Sequence, residues 1–490
     1  MPFIEKHDQP ETKQQIDRRP RKERRLELLN LRRRKKKLER KLKPFLLETE
    51  FTNANVTTFG NFHLLQTFKQ AIDFKGLICK NLSLEKAANS LYPSEDVVDF
   101  LVDANCLGYS RFEHTECLRI DPGYREVKGI DRFPSEKVFR DFFGACTADH
   151  LKELCEINRQ LLQLRARWEG PKEVSFDIDS IVVTAFGEQE EATKRYNPRY
   201  KGRLSFELMA CFISGTKDLL HIDFCRGNHT PRYEFKAFFQ TCESLLPENY
   251  VLRGVRLDKG FFSESNIAFI EKKHLEYAAK VPLYSNLRSW LERLPESDWT
   301  TLSEGMSVSR KKLLLDSWAH ERYIDIRRLK VEKKTGQMVL PDAVFYRYEA
   351  VLSSRLEKRP EENLAWYDDR ASCENYIKEL QDGFAANELS QHEKTRNHAY
   401  ALVKAIAYNL TNFFKAVALP KGQASWQAET IRRKLFCVPG NILGRTRNRR
   451  VKLAPNRFLD WLMPLIRNRM DEFLWFVANG FQQVKPALRL

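Results

Sequence analysis

The segment VSFDIDSIVVTAF, residues 174–186, decides the fold and carries the first acidic side chains of interest. Apolar and polar residues alternate through its first half. This alternation predicts a β-strand with one face in a core and with Asp177 and Asp179 together on the other face. A single aspartate on a strand is more often a surface or turn residue than a catalytic group. The surrounding elements must therefore decide what Asp179 does.

Outward from this strand, the sequence predicts an ordered series of strands and helices. The predicted segments are the strands RLSFELMACFIS (203–214) and LLHIDFC (219–225), the helix PRYEFKAFFQTCESLL (231–246), the strand VLRGVRLD (251–258), the helix SESNIAFIEKKH (263–274) and the strand LEYAAKVPL (275–283). Three strands in hairpin succession, followed by helix, strand, helix and strand, is the order of the RNase H-like fold.

Three acidic residues occupy the places that this fold gives to catalytic carboxylates. Asp179 lies within the first predicted strand, Asp258 ends the fourth, and Glu374 lies on a predicted helix over 371–384. Hard divalent ions prefer carboxylate oxygens, and two ions about 4 Å apart can activate one oxygen of a phosphodiester reaction and stabilise the other. The joint placement predicts a catalytic, metal-binding triad, with Asp177 as a further metal ligand.

The rest of the chain surrounds this core. We predict an α/β protein whose RNase H-like mixed five-stranded catalytic core is interrupted by a mainly β insertion domain, with a helical N-terminal DNA-binding region and a helical C-terminus. The segments ERYIDIRRLKVEKK (321–334) and DAVFYRYEAVL (342–352), joined by a turn at 334–337, predict the strands of the insertion. The predicted divisions are a basic arm (1–45), a helical DNA-binding or dimerisation domain (46–170), the first part of the core (171–283), the β-rich insertion (284–366), the last part of the core with Glu374 (367–420), and a basic segment with a closing helix (421–490). For the helical domain, a helix-turn-helix-like arrangement and a structural bundle are both open.

Positive charge is concentrated near the N-terminus. The chain has a net charge of +17, of which +12 lies between Arg18 and Lys43, where 15 Lys or Arg accompany three Glu. So dense a run favours contact with a nucleic-acid phosphate backbone. A solubilising arm and a nuclear-import-like signal are the alternatives.

Composition excludes several other classes of protein. No apolar run approaches the roughly 20 residues that span a bilayer, and the charged N-terminus has no apolar signal region, so no membrane partner is expected. The ten cysteines form no CxxC pair and the ten histidines show no ligand-like spacing to them. Neither a zinc module nor a disulfide framework is therefore expected.

At the acidic residues, the sequence resembles the DDE transposases of bacterial insertion sequences, and more closely the insertion-sequence thirteen-eighty family. The resemblance covers roughly 45–460. Its most specific parts are GEQEEATKRYNPRYKGRLSF (187–206), RLDKGFFSE (256–264) and YDDRASCENYIKELQDGF (367–384). The family triad corresponds to Asp179, Asp258 and Glu374. The Y-x2-R-x3-E signature corresponds to Tyr367, Arg370 and Glu374, while Gln381 stands at the signature lysine and Lys378 lies one turn earlier.

The resemblance implies a DNA transposase. Such an enzyme would bind the terminal inverted repeats of its element and use two Mg²⁺ ions, for which Mn²⁺ would substitute. It would cleave the DNA ends and join their 3′-hydroxyls to target DNA. The expected partners are double-stranded DNA and a second copy of the chain, and the expected location is the bacterial cytoplasm, at the nucleoid. The alternatives are a catalytically silent DNA-binding protein derived from such an enzyme, and an RNase H-like nuclease that does not join strands.

Further residues are candidates for contact with DNA. Arg370 lies one helical turn before Glu374 and could reach a phosphate, and Tyr367 could pack against DNA or hydrogen-bond to it. Similar transposases stack a tryptophan of the insertion domain on an unpaired base, for which Trp299 and Trp318 are candidates, although core packing is the alternative. The remaining candidates are Lys378, Lys201 and Arg203 of a polar loop, and Arg445, Arg447, Arg449 and Arg450 of the basic segment RTRNRRVK (445–452).

Overall fold

The computed structural model divides the chain into two compact units, residues 1–54 and 55–490. The residues that it describes are 20–42, 52, 54–86, 89–194, 197, 199–225, 230–315, 317–331, 345–444 and 449–481. In the first unit, the 22-residue helix α1 (Arg21–Leu42) is exposed along its whole length. The predicted basic arm over 1–45 is therefore helical in its described part, and residues 1–19 and 43–45 lie outside the described residues.

Helices dominate the second unit up to Gly170, as the apolar spacing predicted. The elements are β1 (Val56–Thr57), α2 (His63–Ala71), α3 (Phe74–Asn81), α4 (Ser94–Leu107), α5 (Glu116–Ile120), α6 (Pro122–Lys128), α7 (Glu136–Gly144) and α8 (Ala148–Glu169). Their apolar faces share one hydrophobic core with the C-terminal helices and with one face of the sheet described next. The division of this region into a separate domain stays a prediction.

A single mixed β-sheet of ten strands forms the centre of the unit. The strands are β2 (Lys172–Thr184), β3 (Thr193–Lys194), β4 (Leu204–Ile213), β5 (Asp218–Phe224), β6 (Tyr250–Leu257), β7 (Glu276–Lys280), β8 (Thr300–Ser303), β9 (Met306–Leu313), β10 (Arg322–Val331) and β11 (Phe345–Ser353). Across the sheet they follow the order β3, β4, β2, β6, β7, β11, β10, β9 and β8, with β5 also paired to β4.

Strand direction changes in the middle of the sheet. The pairs β2–β4 and β4–β5 are antiparallel, whereas β2–β6 and β6–β7 are parallel. Parallel neighbours require crossover connections, and α9 (Pro231–Leu245) and α10 (Glu264–Lys272) form them. The carboxyl ends of β2, β6 and β7 therefore meet at one edge of the sheet, where Asp258 follows β6.

The strands of the predicted insertion extend this same sheet. After α11 (Ser285–Glu292), the strands β8 to β11 form an antiparallel meander, and β11 then pairs with β7. The β content of 284–366 agrees with the prediction, and the predicted turn at 334–337 lies outside the described residues. Because β11 continues the ladder of β7, these strands do not form a sheet of their own.

Two hydrophobic cores lie on opposite faces of the sheet. Val174, Phe176 and Ile178 of β2 pack with α9, α10 and α11, whereas Ile181 and Val183 pack into the core of the helical region. The alternation read from the sequence is therefore confirmed. The side chains of Asp177 and Asp179 belong to the second of these faces.

The chain ends in further helices and one small sheet. The elements are α12 (Pro360–Asp368), α13 (Ala371–Lys378), α14 (Lys394–Ala418), α15 (Ala428–Ile431), β12 (Gly440–Leu443), β13 (Arg450–Leu453) and α16 (Arg457–Ala478), and β12 pairs with both β1 and β13. A π-helical turn over Glu379–Gly383 follows α13 directly. Among the described helices, none combines the length and the apolarity needed to cross a bilayer.

Candidate active site

Parallel pairing of β2 and β6 brings two aspartates to the same edge of the sheet. Ile178 of β2 is opposite Leu257 of β6, so the next residues along the two strands are Asp179 and Asp258. Burial raises the pKa of the Asp179 carboxyl above its ordinary value. The positive charge of Arg370 opposes this shift, while the nearby negative charge of Asp258 adds to it. The two acids therefore interact across the strand ends.

Asp177, two residues earlier, has a different environment. Both of its carboxylate oxygens accept hydrogen bonds from Arg256 of β6, at 2.6 Å from Nε and 2.8 Å from Nη2. Arg256 also donates to the Trp366 backbone carbonyl at 2.6 Å and to the Ser214 hydroxyl at 2.8 Å. The Asp177 side chain is almost fully buried, so this ion pair ties strands β2 and β6 together inside the protein.

Arg370 connects the α12–α13 segment to β2. Its Nη2 lies 2.7 Å from Oδ2 of Asp179 and donates to the Ile178 backbone carbonyl at 3.4 Å. The side chain is buried, and its Nε is among the buried polar atoms without a hydrogen-bond partner in the described structure. The sequence predicted that Arg370 would reach a phosphate. In this structure its guanidinium lies against a carboxylate of the site.

The negative charges of all three acids act on Tyr367. Burial raises the pKa of its hydroxyl, and the charge of Arg370 opposes that shift. The negative charges of Asp258, Asp179 and Glu374 each raise it further. Tyr367 is itself largely buried at the end of α12, whereas Glu374 is exposed in the first turn of α13. Convergence of the three acids stays a prediction, which their common electrostatic effect on Tyr367 supports.

The three acids are not arranged as a metal site. Within the described ranges, no group of three or more His, Cys, Asp or Glu side chains lies in positions that could hold a metal ion. Arg370 holds one oxygen of Asp179, and Glu374 extends from the exposed face of α13. The donor atoms are of the type that hard divalent ions prefer, but this arrangement does not fit a bound ion.

Comparison with known proteins settles the family. Residues 42–469 match the family model described as transposase DDE domain, group 1. The chain belongs to this family. Among solved structures, it is similar to the piggyBac transposase in a cryo-EM structure of its synaptic complex with hairpin DNA, at 12% identity over 86% of each chain and with a TM-score of 0.38. No curated protein matches the chain.

The family assigns the activity. DDE transposases are DNA recombination enzymes that cleave and join DNA strands during transposition, so this chain is a DNA transposase. That result agrees with the function that the sequence predicted. The individual catalytic and DNA-binding residues stay predictions.

The two tryptophans predicted to stack on DNA contact other side chains of the transposase. Trp299 is only 8% exposed, and the guanidinium of Arg328 lies 4.4 Å from its ring centroid. The Trp318 ring stacks on Phe262 with a centroid distance of 5.0 Å, and Arg322 lies 5.0 Å from the same ring. Core packing, which was the alternative for both residues, describes these surroundings.

The basic candidates have more varied surroundings. Lys378 is exposed at the end of α13, and Lys201 and Arg203 are exposed in the loop before β4. Arg449 pairs with Glu126 of α6 at 3.4 Å, while Arg450 begins the exposed strand β13. Arg445 and Arg447 lie outside the described residues.

Two cationic residues near the acids were missed by the sequence reasoning. Arg256 is the partner of Asp177, and Lys280 at the end of β7 places its ammonium 5.5 Å from the Tyr367 ring centroid. An arginine beside the apolar end of the strand, between Val255 and Leu257, was a usable signal for Arg256, since burying its charge requires an acidic partner. Lys280 gave no such signal, because a lysine at a strand end is an ordinary surface residue.

Proposed function

We propose that this transposase uses Asp179, Asp258 and Glu374 as its catalytic acids and that it serves a bacterial insertion sequence of the thirteen-eighty type. One observation carries the assignment. The parallel ends of β2 and β6 bring Asp179 and Asp258 together, and Tyr367 lies within electrostatic reach of both and of Glu374. Convergence of this kind is what a three-carboxylate site requires.

Strand order supports an RNase H-like core. The five predicted core strands are, in chain order, β2, β4, β5, β6 and β7. They lie side by side in the order β5, β4, β2, β6 and β7, that is, third, second, first, fourth and fifth, and β2, β6 and β7 are parallel. This is the arrangement expected from the predicted succession of elements. The acids then fall on the first strand, after the fourth, and on a helix after the fifth.

Divalent ions, with Mg²⁺ in first place and Mn²⁺ as its substitute, are the proposed cofactors. The carboxylates supply suitable oxygen donors, but the present arrangement does not fit an ion. The ion pairs around these carboxylates position the strands and helices that carry them. Arg370 pairs with Asp179 and so connects the α12–α13 segment to β2. The Asp177–Arg256 pair connects β2 to β6 in the register that aligns the two proposed catalytic aspartates.

The proposed partners are two DNA segments and a second copy of the chain. Terminal inverted repeats and target DNA carry closely spaced phosphates, which suit the basic helix α1 and the exposed Lys201, Arg203, Lys378 and Arg450. Pairing two element ends for joining requires at least a dimer on DNA. The proposed location is the bacterial nucleoid.

The test is cleavage and joining of a labelled duplex that carries the inverted repeat found beside the gene, in Mg²⁺. Asp258→Ala and Glu374→Ala should each abolish cleavage and joining, because both remove a charge from the reacting centre. Binding to the same duplex should change little, since phosphate contacts elsewhere dominate affinity. Asp382→Ala is the matched control, because Asp382 is an exposed acid just beyond α13.

Two outcomes would overturn parts of the proposal. If Asp258→Ala or Glu374→Ala cleaves at the wild-type rate, the acid in question is not catalytic. If the wild-type protein cleaves the duplex but never joins strands, it acts as a nuclease on the same fold.

A further inference from the structure

Two aromatic side chains are exposed beside the carboxyl end of β2. Phe186 is 65% exposed and Tyr200 is 38% exposed. Their rings meet edge to face, with centroids 5.3 Å apart and an interplanar angle of 79°. Exposed aromatic pairs are unfavourable in water unless a ligand covers them, and an exposed ring offers a flat surface for another ring.

Two arginines cover part of these rings. The Arg203 guanidinium lies 5.4 Å from the Phe186 ring centroid, and the Arg199 guanidinium lies 5.7 Å from that of Tyr200. We call these four residues the aromatic–arginine cluster. Aromatic faces next to guanidinium groups match the two parts of a nucleotide, because a base stacks on a ring while an arginine binds a phosphate.

A buried amide, that of Asn197, connects Arg199 and Tyr200 of the cluster to the neighbouring strands. The Asn197 side chain donates to the Thr184 hydroxyl at 2.8 Å and to the Ser205 hydroxyl at 3.0 Å. Its carbonyl oxygen accepts from the backbone amides of Arg199 and Tyr200, at 3.0 and 2.8 Å. These bonds fasten both residues to the ends of β2 and β4, so the cluster is preorganised and loses little entropy on binding.

An open cleft lies next to Phe186. Its volume is about 460 Å³, and its walls include Phe186, Arg111, Arg140, Glu113 and Glu388. Arg111 pairs with Glu388 and Arg140 with Glu136, each at 3.3 Å, so the cleft offers room beside Phe186 while the phosphate contacts belong to the cluster. Phe186 is seven residues beyond Asp179 along β2, so an extended chain places the cluster at most about 23 Å from that acid. At about 3.4 Å per nucleotide, this distance corresponds to about seven nucleotides.

We propose that the aromatic–arginine cluster binds an unpaired base of the DNA substrate, by stacking the base on Phe186 and contacting its flanking phosphates through Arg199 and Arg203. This inference rests on the proposed function, which places DNA at the edge of the sheet. Of the tryptophans expected from the sequence to stack on a base, Trp299 is buried and Trp318 is half-buried, whereas Phe186 is 65% exposed.

The experiment compares the affinity of the full-length protein for two DNA duplexes. One is fully paired, and the other carries one unpaired thymine, placed in turn at successive positions from the proposed cleavage point. Both duplexes carry the inverted repeat found beside the gene, because that repeat defines the cleavage point, and thymine can serve as the unpaired base because base stacking tolerates any sequence. Wild-type protein should prefer the unpaired duplex by about 5-fold to 150-fold, the range given by stacking of one base, with the optimum within about seven nucleotides of the cleavage point.

Variants separate stacking from charge. Phe186→Ala should remove the preference while leaving affinity for the paired duplex unchanged, because the exposed ring contributes little to folding. Arg199→Gln and Arg203→Gln should each lower the affinity for both duplexes by similar factors, as loss of a phosphate contact does. The matched control is Tyr233→Ala, which removes an aromatic ring that is 74% exposed at the start of α9.

The outcomes distinguish this inference from the proposed function. If wild-type protein binds the paired duplex but shows no preference for the unpaired one, or if Phe186→Ala keeps the preference, the stacking site is wrong and the cluster contacts phosphates only. If wild-type protein binds neither duplex, the proposed DNA partner itself is wrong. An equal loss of preference in Tyr233→Ala would also contradict a role specific to Phe186.

Discussion

Two clusters of acidic and basic side chains in this molecule differ in their ratio of positive to negative charges and in their exposure to solvent. In the helical region, Lys69 and Lys128 both form ion pairs with Asp99 and Asp103, and all four side chains are almost fully buried. We call these four residues the buried charge cluster. Burial opposes the charged form of Asp99, yet the two lysines outweigh it and lower the pKa of that carboxyl. The numbers of positive and negative charges are equal, and every acid has a partner.

At the sheet edge, the balance is different. Asp179, Asp258 and Glu374 lie around Tyr367 with Arg370 paired to Asp179, and Glu374 is exposed. The pKa of Asp179 is raised, mainly by burial, where that of Asp99 is lowered. Equal numbers of paired charges stabilise a fold, whereas excess acids that remain accessible are suited to bind something else.

The largest expected effect comes from breaking the buried charge cluster. Asp103→Ala leaves Lys69 and Lys128 with one carboxylate between them in a buried site. The free energy of unfolding should fall by about 3–5 kcal/mol, as is usual when one partner of a buried pair is removed. Urea unfolding followed by circular dichroism measures this. Asp149→Ala, which breaks the exposed pair with Lys152, should leave the unfolding midpoint unchanged; equal effects would contradict the comparison.

A smaller effect should follow from changing the cation at the sheet edge. Arg370→Lys keeps a positive charge near Asp179 but loses the planar guanidinium, whose Nη2 contacts both Asp179 and the Ile178 carbonyl. The cleavage rate should fall by about 10-fold to 100-fold, which is about 1.4–2.7 kcal/mol of activation free energy. The same substitution at Arg310, which pairs with Asp325 on β10, should leave the rate within about 2-fold of wild type. A normal rate in Arg370→Lys would show that Arg370 has no role at the site.

The smallest expected effect concerns Lys404, a buried lysine without a paired carboxylate, which can be compared with the lysines of the buried charge cluster. Lys404 donates to the backbone carbonyls of Ala385 and Glu388, and burial lowers its pKa to about 7. The unfolded chain keeps this lysine protonated up to its ordinary value of 10.5. The unfolded state therefore binds more protons between these values, so stability should rise with pH there, by at most about 1.4 kcal/mol per pH unit.

The measurement is the free energy of unfolding at several pH values between about 7 and 9, a range that lies below the ordinary pKa of tyrosine. Lys404→Met should flatten the rise relative to wild type. Asp103 and Asp99 raise the pKa of Lys128, so Lys128 should contribute no such rise. An unchanged slope in Lys404→Met would mean that the buried lysine keeps its proton.

Much of the catalytic core could be predicted from the sequence, because local patterns determine it. Alternation in 174–186 gave the face of each residue on β2, and the succession of apolar runs gave the order of the elements from β2 to β7. Turn residues helped as well. Gly215, between the predicted strands 203–214 and 219–225, has a φ of +83°, in the left-handed region that glycine adopts readily.

What the sequence could not give depends on pairs of residues that are distant in the chain. Asp177 and Asp179 look alike on an alternating strand, and only their different distant partners, Arg256 for Asp177 and Arg370 for Asp179, distinguish them. Likewise, the pairing of β11 with β7 joins the insertion to the core sheet. Periodicity shows that a strand exists, but its neighbour is decided by long-range packing.

The most direct test of the account compares Asp179→Asn with Asp177→Asn, with cleavage of the inverted-repeat duplex and urea unfolding measured on the same samples. Asp179→Asn should also lower the unfolding free energy, because the buried Arg370 loses its charged partner, but each folded molecule should lose cleavage by at least about a thousandfold, about 4 kcal/mol of activation free energy. Asp177→Asn should lower the unfolding free energy, because Arg256 loses its charged partner, and each folded molecule should still cleave. Normal cleavage by Asp179→Asn, together with a stable but inactive Asp177→Asn, would contradict the assignment.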